Sequence, residues 1–375
     1  MVRIAHIGLF LFANALQFCV QVLSTENRSY LPESFASTSV LFRMVVAVQK
    51  RACDESVHRW HKGGGMFAEQ IAKFDDTEEL SRSLRNADVR AMQINRGGFR
   101  AVLKRRFSDG WNFQFINFLE GVSSCAGGAA PDRHVFVVPL ETVPGCRLLG
   151  GELSDASIGV YAPGGEHACI TRGGLVEAVV APPSSLLASA IENGDYLELP
   201  QWGARHSIVS EAKLNQFRTV LRRLQAIGAE QTASAAIMRS LNDSLATGLI
   251  ALISEPEDNH SMGRTPMPRR PILNKIGDLM NEREGEILFA SELAARAGVS
   301  HPTLQRVFLE WFGLPPARYL MLRRLYLARG RLRSGAYSTV SEVAESCGFV
   351  ELRRFATRYK AVFGELPSQT LGSRK

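Results

Sequence analysis

The chain has 375 residues, 45% of them hydrophobic and 22% charged, with 6 cysteines. At roughly 100–200 residues per domain this is a protein of two or three domains. It is apolar enough to bury a core, which excludes disorder as its main state, along with collagen-like and mucin-like classes. The net charge is +7, and all of the excess lies at one end. From Arg269 to Lys375 there are 18 Lys+Arg against 10 Asp+Glu, and 15 of those cations are Arg. A neutral body with a basic tail suits a polyanion partner; a solvated basic face is the plainer alternative. The cysteines, at 19, 53, 125, 146, 169 and 347, are too sparse for a disulfide scaffold. They form no C-x-x-C pair, which argues against zinc ribbons and thioredoxin-type sites. A reducing cytoplasm is the expected location.

Residues 1–65 differ from the rest. Ile7 to Leu23 is a 17-residue apolar run interrupted by Asn14, Gln17 and Gln21, short of the ~20 residues that a membrane span needs. As a secretion signal it has only Arg3 and His6 in front and no convincing cleavage site. Lys62-Gly63-Gly64-Gly65 precedes Met66, and the purine-rich codons of such a stretch suit a ribosome-binding site. A mis-assigned start, with the working protein beginning at Met66, is one reading of 1–65; an N-terminal extension is the other.

Residues 75–200 read mostly as strands. Phe99–Arg106 alternates Phe99, Ala101 and Leu103 with Arg100, Lys104 and Arg106. Trp111–Leu119 places Trp111, Phe113 and Phe115 on one side. Arg133–Leu140, Ser157–Ala162 and Leu175–Ala181 are short β-branched runs, and Gly- or Pro-rich turns separate them all. Short strands at turn-marked spacing predict a small sandwich or barrel. Helices follow at 211–253. Leu214, Phe217, Leu221 and Leu224 mark one face at helical spacing, and Ile237, Leu241, Leu245, Leu249 and Leu252 mark a second, narrow seam. Such a seam is either intramolecular core or a helix–helix dimer contact. Residues 254–271, with Pro256, Pro266, Pro268 and Pro271, read as an extended linker and domain boundary.

The last 105 residues carry the clearest pattern. Ser291–Ser300 reads as a short helix, a turn at Gly298 and an N-cap at Ser300 for a second helix over His301–Phe312. Pro302 fits an early helical position, where its missing N–H is not needed. Leu293, Ala294, Ala297, Leu304, Val307 and Phe308 face inward. This is helix-turn-helix spacing, although helical hairpins that never touch DNA also match it. The pattern then recurs in Ser341–Phe349, with Gly348 fifty residues after Gly298 and a second reading helix over Glu351–Val362. Between the units lies a long basic helix, Ala317–Leu332. Its 16 residues span about 24 Å at ~1.5 Å per residue, so it could hold two reading helices about one DNA turn, ~34 Å, apart.

Residues 272–371 resemble the DNA-binding domain of AraC/XylS-type transcription regulators. The resemblance rests on Leu293-Ala294-x-x-Ala297-Gly298-Val299-Ser300, Leu304–Phe308 and Gly313–Leu320. In the second unit it rests on Val343-Ala344, Cys347-Gly348-Phe349, Phe355, Tyr359-Lys360, Phe363-Gly364 and Pro367-Ser368. It implies double-stranded DNA as partner, with RNA polymerase beside it. Base readers would be Pro302, Gln305 and Arg306, with Thr303 nearby, in the first unit and Arg353, Arg354 and Thr357 in the second. Arg suits guanine O6/N7 and Gln suits adenine N6/N7. Arg323, Arg324 and Arg358 would contact phosphates or pair with Glu inside the domain. Three positions depart from the family pattern. Pro302 replaces a larger reader, Thr357 stands where Arg is common, and Thr370 where an aromatic is common.

Family members often carry a cupin-like β-barrel in front, which senses an effector or dimerises, and 66–253 fits that place. Ser157–Glu166 and Phe355–Leu371 look, in patches, like the ethanolamine-operon regulator branch. The fold expected is therefore α+β and multidomain: a β-rich cupin-like sensor domain with trailing helices, then an all-α tandem helix-turn-helix domain. A small-molecule effector and a homodimer both remain open. Trp111, Phe113 and Phe115 either line an effector pocket or fill the core. His134, His167 and His206 are scattered, and the adjacent Glu166-His167 point to opposite strand faces, so no metal, cofactor or catalytic group is expected. G-x-S-x-G, H-E-x-x-H and G-x-x-x-x-G-K motifs are missing from the sequence. Two rival readings are a cupin-type enzyme with an appended DNA-binding domain, which the missing ligand cluster disfavours, and a regulator tethered to membrane through residues 7–23; no membrane partner is expected.

Overall fold

The computed structural model describes residues 68–373 apart from 196, 198, 202, 228–234, 255–269, 284 and 285. The apolar run at 7–23, the start at Met66 and nearly all of the 254–271 linker lie outside the described residues. None of the described helices is long and apolar enough to cross a membrane.

Twelve strands form the front part: β1 (Ala68–Phe74), β2 (Ala87–Gln93), β3 (Arg100–Ser108), β4 (Trp111–Glu120), β5 (Val122–Ala129), β6 (Val135–Glu141), β7 (Arg147–Leu148), β8 (Gly151–Glu152), β9 (Ser157–Tyr161), β10 (Glu166–Arg172), β11 (Val176–Ala181) and β12 (Ala204–Ile208). A short helix, α1 (Thr77–Ser83), joins β1 to β2, and α2 (Ser184–Glu192) follows β11. The strands build two antiparallel sheets. One has seven strands in the order β1-β3-β4-β11-β6-β9-β12, the other five in the order β2-β5-β10-β7-β8. The β3–β4 hairpin turns on Asp109-Gly110, both at positive φ (46° and 82°), the conformation that a two-residue turn between twisted strands requires. Ser108 accordingly pairs with Trp111.

The five strand runs read from the sequence correspond to β3, β4, β6, β9 and β11. Seven others lacked a clean alternation. β5 carries two adjacent glycines, and β7 and β8 have only two residues each.

The central strands of the seven-stranded sheet are buried on both faces. Its outer side is covered by α3 (Glu211–Ala226) and α4 (Ala235–Ile253). Leu214, Phe217, Leu221 and Leu224 are each 0–1% exposed, and burying such side chains stabilises by roughly 1.5–3 kcal/mol apiece. The α4 seam packs intramolecularly through Leu245, Leu249 and Leu252, while Ile237 at its start is 53% exposed. Arg106, one of the basic residues that alternate along β3, is fully buried. Its guanidinium donates to the carbonyls of Gln225 and Ile227, completing the C-terminal turn of α3.

The remaining helices are α5 (Arg270–Glu282), α6 (Ala290–Ala297), α7 (His301–Phe312), α8 (Pro316–Ser334), α9 (Val340–Ser346), α10 (Leu352–Phe363) and α11 (Pro367–Gly372). One hydrophobic core runs from between the two sheets into this helical part. The Tyr326 hydroxyl on α8 accepts from the Gln93 amide at 2.7 Å and meets Thr77 Oγ1 at 3.1 Å. Arg329 and Arg333, also on α8, hold Asp76 at 2.7 and 3.3 Å and Glu78 at 3.6 and 3.4 Å. Asp76 also caps α1, its side chain accepting from the Glu78 amide.

Candidate nucleic-acid interface

Each helix-turn-helix unit closes on the same bond. At the end of α6, Gly298 has φ 71°, and the Val299 amide donates to the Ala294 carbonyl at 3.0 Å. At the end of α9, Gly348 has φ 74°, and the Phe349 amide donates to the Ala344 carbonyl at 2.9 Å. A glycine at positive φ satisfies the carbonyls left over at a helix end without the Cβ clash other residues suffer there. At Gly348 a Cβ would also collide with Ile287.

Helix α7 begins at Ser300, whose hydroxyl accepts from the Thr303 amide at 3.3 Å, with Pro302 in its first turn. Leu304, Val307 and Phe308 are fully buried, while Pro302, Gln305 and Arg306 are exposed on the opposite face. Thr303 is half-buried, and its hydroxyl lies 2.9 Å from that of Ser300. Helix α10 is built the same way around Phe355 and Tyr359. Arg353, Arg354, Thr357 and Arg358 are exposed. Thr357 turns its hydroxyl back onto the Arg353 carbonyl at 2.9 Å, and Arg354 pairs with Glu351 at 2.9 Å. Thr370 fills its buried place by polar contact, its hydroxyl 2.8 Å from that of Tyr359 and donating to Glu365 at 2.7 Å.

Arg323 and Arg324, expected at phosphates or paired inside the domain, both bond to backbone within it. Arg323 donates to the carbonyls of Met280 and Arg283 at 2.6 and 3.3 Å, closing the end of α5. Arg324 donates to the Gly348 carbonyl at 3.3 Å and lies 5.1 Å over the Phe349 ring. Burial pulls its pKa down. Both orient backbone inside the domain. The long helix α8 puts these side chains at the crowded inner end of its basic stripe, which spacing alone did not reveal.

In the β part, Trp111, Phe113 and Phe115 stack on one another at 5.4 and 6.5 Å in the core beneath α3 and α4. Of the two places open to them from the sequence, they occupy the core. The opposite face of β4, with Ile116 and Phe118, lines a cavity of about 60 Å³ that draws on both sheets. Into it project Cys125 of β5 and His167 and Cys169 of β10, whose Sγ and imidazole atoms lie within 4.8 Å of one another. Glu177 of β11 lines the same space, and burial pushes its carboxyl up to about 7, with His167 pulling the other way. Adjacent Glu166 and His167 point to opposite faces, whereas His167-x-Cys169 has the spacing that places two side chains on one strand face. Cys125 joins them only through strand register.

A family described as a helix-turn-helix domain matches residues 293–373. XylDLEGF operon transcriptional activator 2 of Pseudomonas putida is 32% identical over 107 residues, which are 28% of this chain and 68% of that protein. The HTH-type transcriptional regulator GbdR of Pseudomonas aeruginosa is 36% identical over 98 residues, 26% of each chain. A solved structure of a probable AraC family transcriptional regulator from Rhodopseudomonas palustris is 30% identical, covering 28% of this chain and 98% of that one, with a TM-score of 0.26. The chain thus spans about two thirds of the first relative's length and about a quarter of the second's.

Proposed function

The chain belongs to the AraC/XylS-type family of DNA-binding transcription regulators, and we propose that it reads two short major-groove elements through α7 and α10. The observation that carries this reading is the duplicated turn. Gly298 and Gly348 each deliver a helix whose inner face is buried and whose outer face presents arginine. In the first helix, Gln305 and Arg306 are the base readers, since both are exposed and can bond two acceptor or donor positions on one base. In the second, Arg353, Arg354 and Arg358 divide between bases and phosphates. Thr357, bonded to its own helix, contributes little readout, and the contact surface of Pro302 is apolar.

The β-rich domain is the responsive part, acting by linkage. An effector that binds one arrangement of the two sheets better than another shifts the reading helices toward or away from a productive spacing. A homodimer and contact with RNA polymerase at the promoter complete the proposed regulator. Selection of duplexes from a random pool with residues 66–375 at physiological salt tests the reading. Enrichment of two short elements about one helical turn, ~34 Å, apart supports it. Salt-sensitive retention of every sequence alike would refute it.

A further inference from the structure

We propose that the cavity between the sheets is a zinc-class metal site formed by Cys125, His167 and Cys169, and that the ion it holds is the signal the β domain passes to the first reading helix. The geometry of the strands makes the cluster. His167 and Cys169 are two apart on β10 and share a face, while Cys125 is the register partner of Cys169 on the neighbouring β5. Their ligand atoms already lie within 4.8 Å of one another. Tetrahedral zinc, with Zn–S near 2.3 Å, brings sulfurs to about 3.8 Å, so closure asks each side chain for a shift of less than about 1 Å.

The imidazole is oriented for the task. Its Nε2 lies 3.3 Å from Cys169 Sγ, while Nδ1 is held by the Tyr161 hydroxyl at 2.8 Å. Metal-binding histidines characteristically have their second nitrogen fixed in this way. Of the other polar groups that line the cavity, Ser123 and Thr171 satisfy each other at 2.5 Å, and the Glu177 carboxyl on β11 is outside the set whose ligand atoms all lie within 4.8 Å of one another, which leaves the trio as the ligand set.

Size and charge select the ion. A cavity of about 60 Å³ holds an ion with a water or two, whereas one that accepts a benzene-sized ligand measures about 150 Å³. Two thiols lose their protons to solvent on coordination, and the two thiolates cancel the charge of Zn2+. Cu+ would leave a net negative charge buried, which is costly. Three protein ligands leave one coordination position open to the cavity, as in sites where a fourth ligand exchanges.

Strand β10 also connects the site to α7. Ile170, next to Cys169, faces the other side of the strand, and a Cβ placed on Gly313 would sit 2.9 Å from its Cδ1. Gly313 is the C-cap of α7. A shift of β10 on metal binding therefore reaches the end of the first reading helix through one side chain. This half of the proposal rests on the regulator reading; the metal site itself does not.

The test uses the full chain, purified untagged without chelator, and two independent readouts. Elemental analysis is expected to find about one zinc per chain. Cobalt(II) alone, added to chelator-stripped protein, is expected to give thiolate charge-transfer bands and tetrahedral d–d bands. Cys169→Ser and His167→Gln should lose both signals, while Cys347→Ser, a buried thiol elsewhere, should keep them. Folded wild-type protein with substoichiometric metal and no cobalt bands, or a Cys125–Cys169 disulfide in the native protein, would overturn the site. Should the variants fail to fold, the wild-type spectra still decide. The second readout is affinity for the selected duplex with and without zinc, with a change of tenfold or more expected. Stoichiometric zinc with unchanged affinity overturns the signalling half alone. Zinc binding with no specific duplex in either state would instead count against the regulator reading.

Discussion

In the first helix-turn-helix unit, Val299 closes on Ala294 at 3.0 Å; in the second, Phe349 closes on Ala344 at 2.9 Å. The turns are alike, and the surroundings are not. The reading helix of the first unit carries one arginine and one glutamate, and its end packs into the β domain. Trp311 lies over Gly150, where a Cβ would be 2.9 Å from the indole, and Gly313 meets Ile94 and Ile170. The reading helix of the second carries three arginines and a lysine and leans on α8 through Phe363, whose ring meets Tyr326 at 4.9 Å and lies 4.5 Å under Arg329. The same local motif thus packs against the β domain in one place and carries a denser cationic face in the other. Local sequence sets the turn, and the element packed behind it sets what the unit can sense.

The largest effect is expected from breaking the clamp that holds α8 to α1, beside the second unit. Asp76→Ala removes the carboxylate from two arginines, one of them only 12% exposed at its side chain, and removes the cap of α1. Losing one partner of a buried pair costs about 3–5 kcal/mol, and urea unfolding will measure it. Because Arg329 also lies 4.5 Å over the Phe363 ring at the end of α10, protease sensitivity should rise in α10 before α7; the reverse order would break the comparison.

Arg306→Ala should weaken binding of the selected duplex by ~1–3 kcal/mol and relax the choice at one base. Arg358→Ala should weaken all sequences alike and lower the salt slope by about 1. Titrations at several salt concentrations separate the two, and identical behaviour would erase the distinction between reader and grip.

Helix caps offer a smaller contrast. Ser300 caps the reading helix itself, while Thr339 forms a capping box with Glu342 on α9. Alanine at either place should cost about 1 kcal/mol of stability. Only Ser300→Ala should change base preference, as read by repeating the selection.

The smallest effect concerns pH. Burial lowers the pKa of His206 and of His134. Both are neutral in the folded and unfolded chain above pH 6.5, so their share of stability is complete there. Below that value the unfolded state takes up protons first, and stability falls with pH. The His206 ring lies against Gly151, next to the Trp311 contact, so acid should loosen the first unit ahead of the second. Hydrogen exchange at pH 5.5 and 7.5 measures this, and His206→Gln should flatten the response.

Legibility in the sequence followed the range of the interaction. The glycine turns, the buried faces of α3, α7 and α10, and the exposure of Gln305, Arg306 and Arg353 were readable because they depend on neighbours within a few residues. For Arg323 and Arg324 the sequence left phosphate contact and intradomain pairing both open, since a basic helix looks alike whether its guanidiniums meet phosphate or a carbonyl two helices away. Trp111, Phe113 and Phe115 were correctly put on one strand face, but which face met a cavity depended on where α3 and α4 lay.

By itself, the sequence determined the family, the tandem reading motif and the separation of a β-rich front from a basic helical end. These follow from backbone preferences and hydrophobic period, which act locally. Only the tertiary structure decided that α8 is clamped to Asp76 and Glu78, that Arg106 closes a helix more than a hundred residues away, and that Cys125, His167 and Cys169 meet. Those contacts depend on strand register and sheet order, and a one-residue slip of β5 against β10 would turn Cys125 to the opposite face.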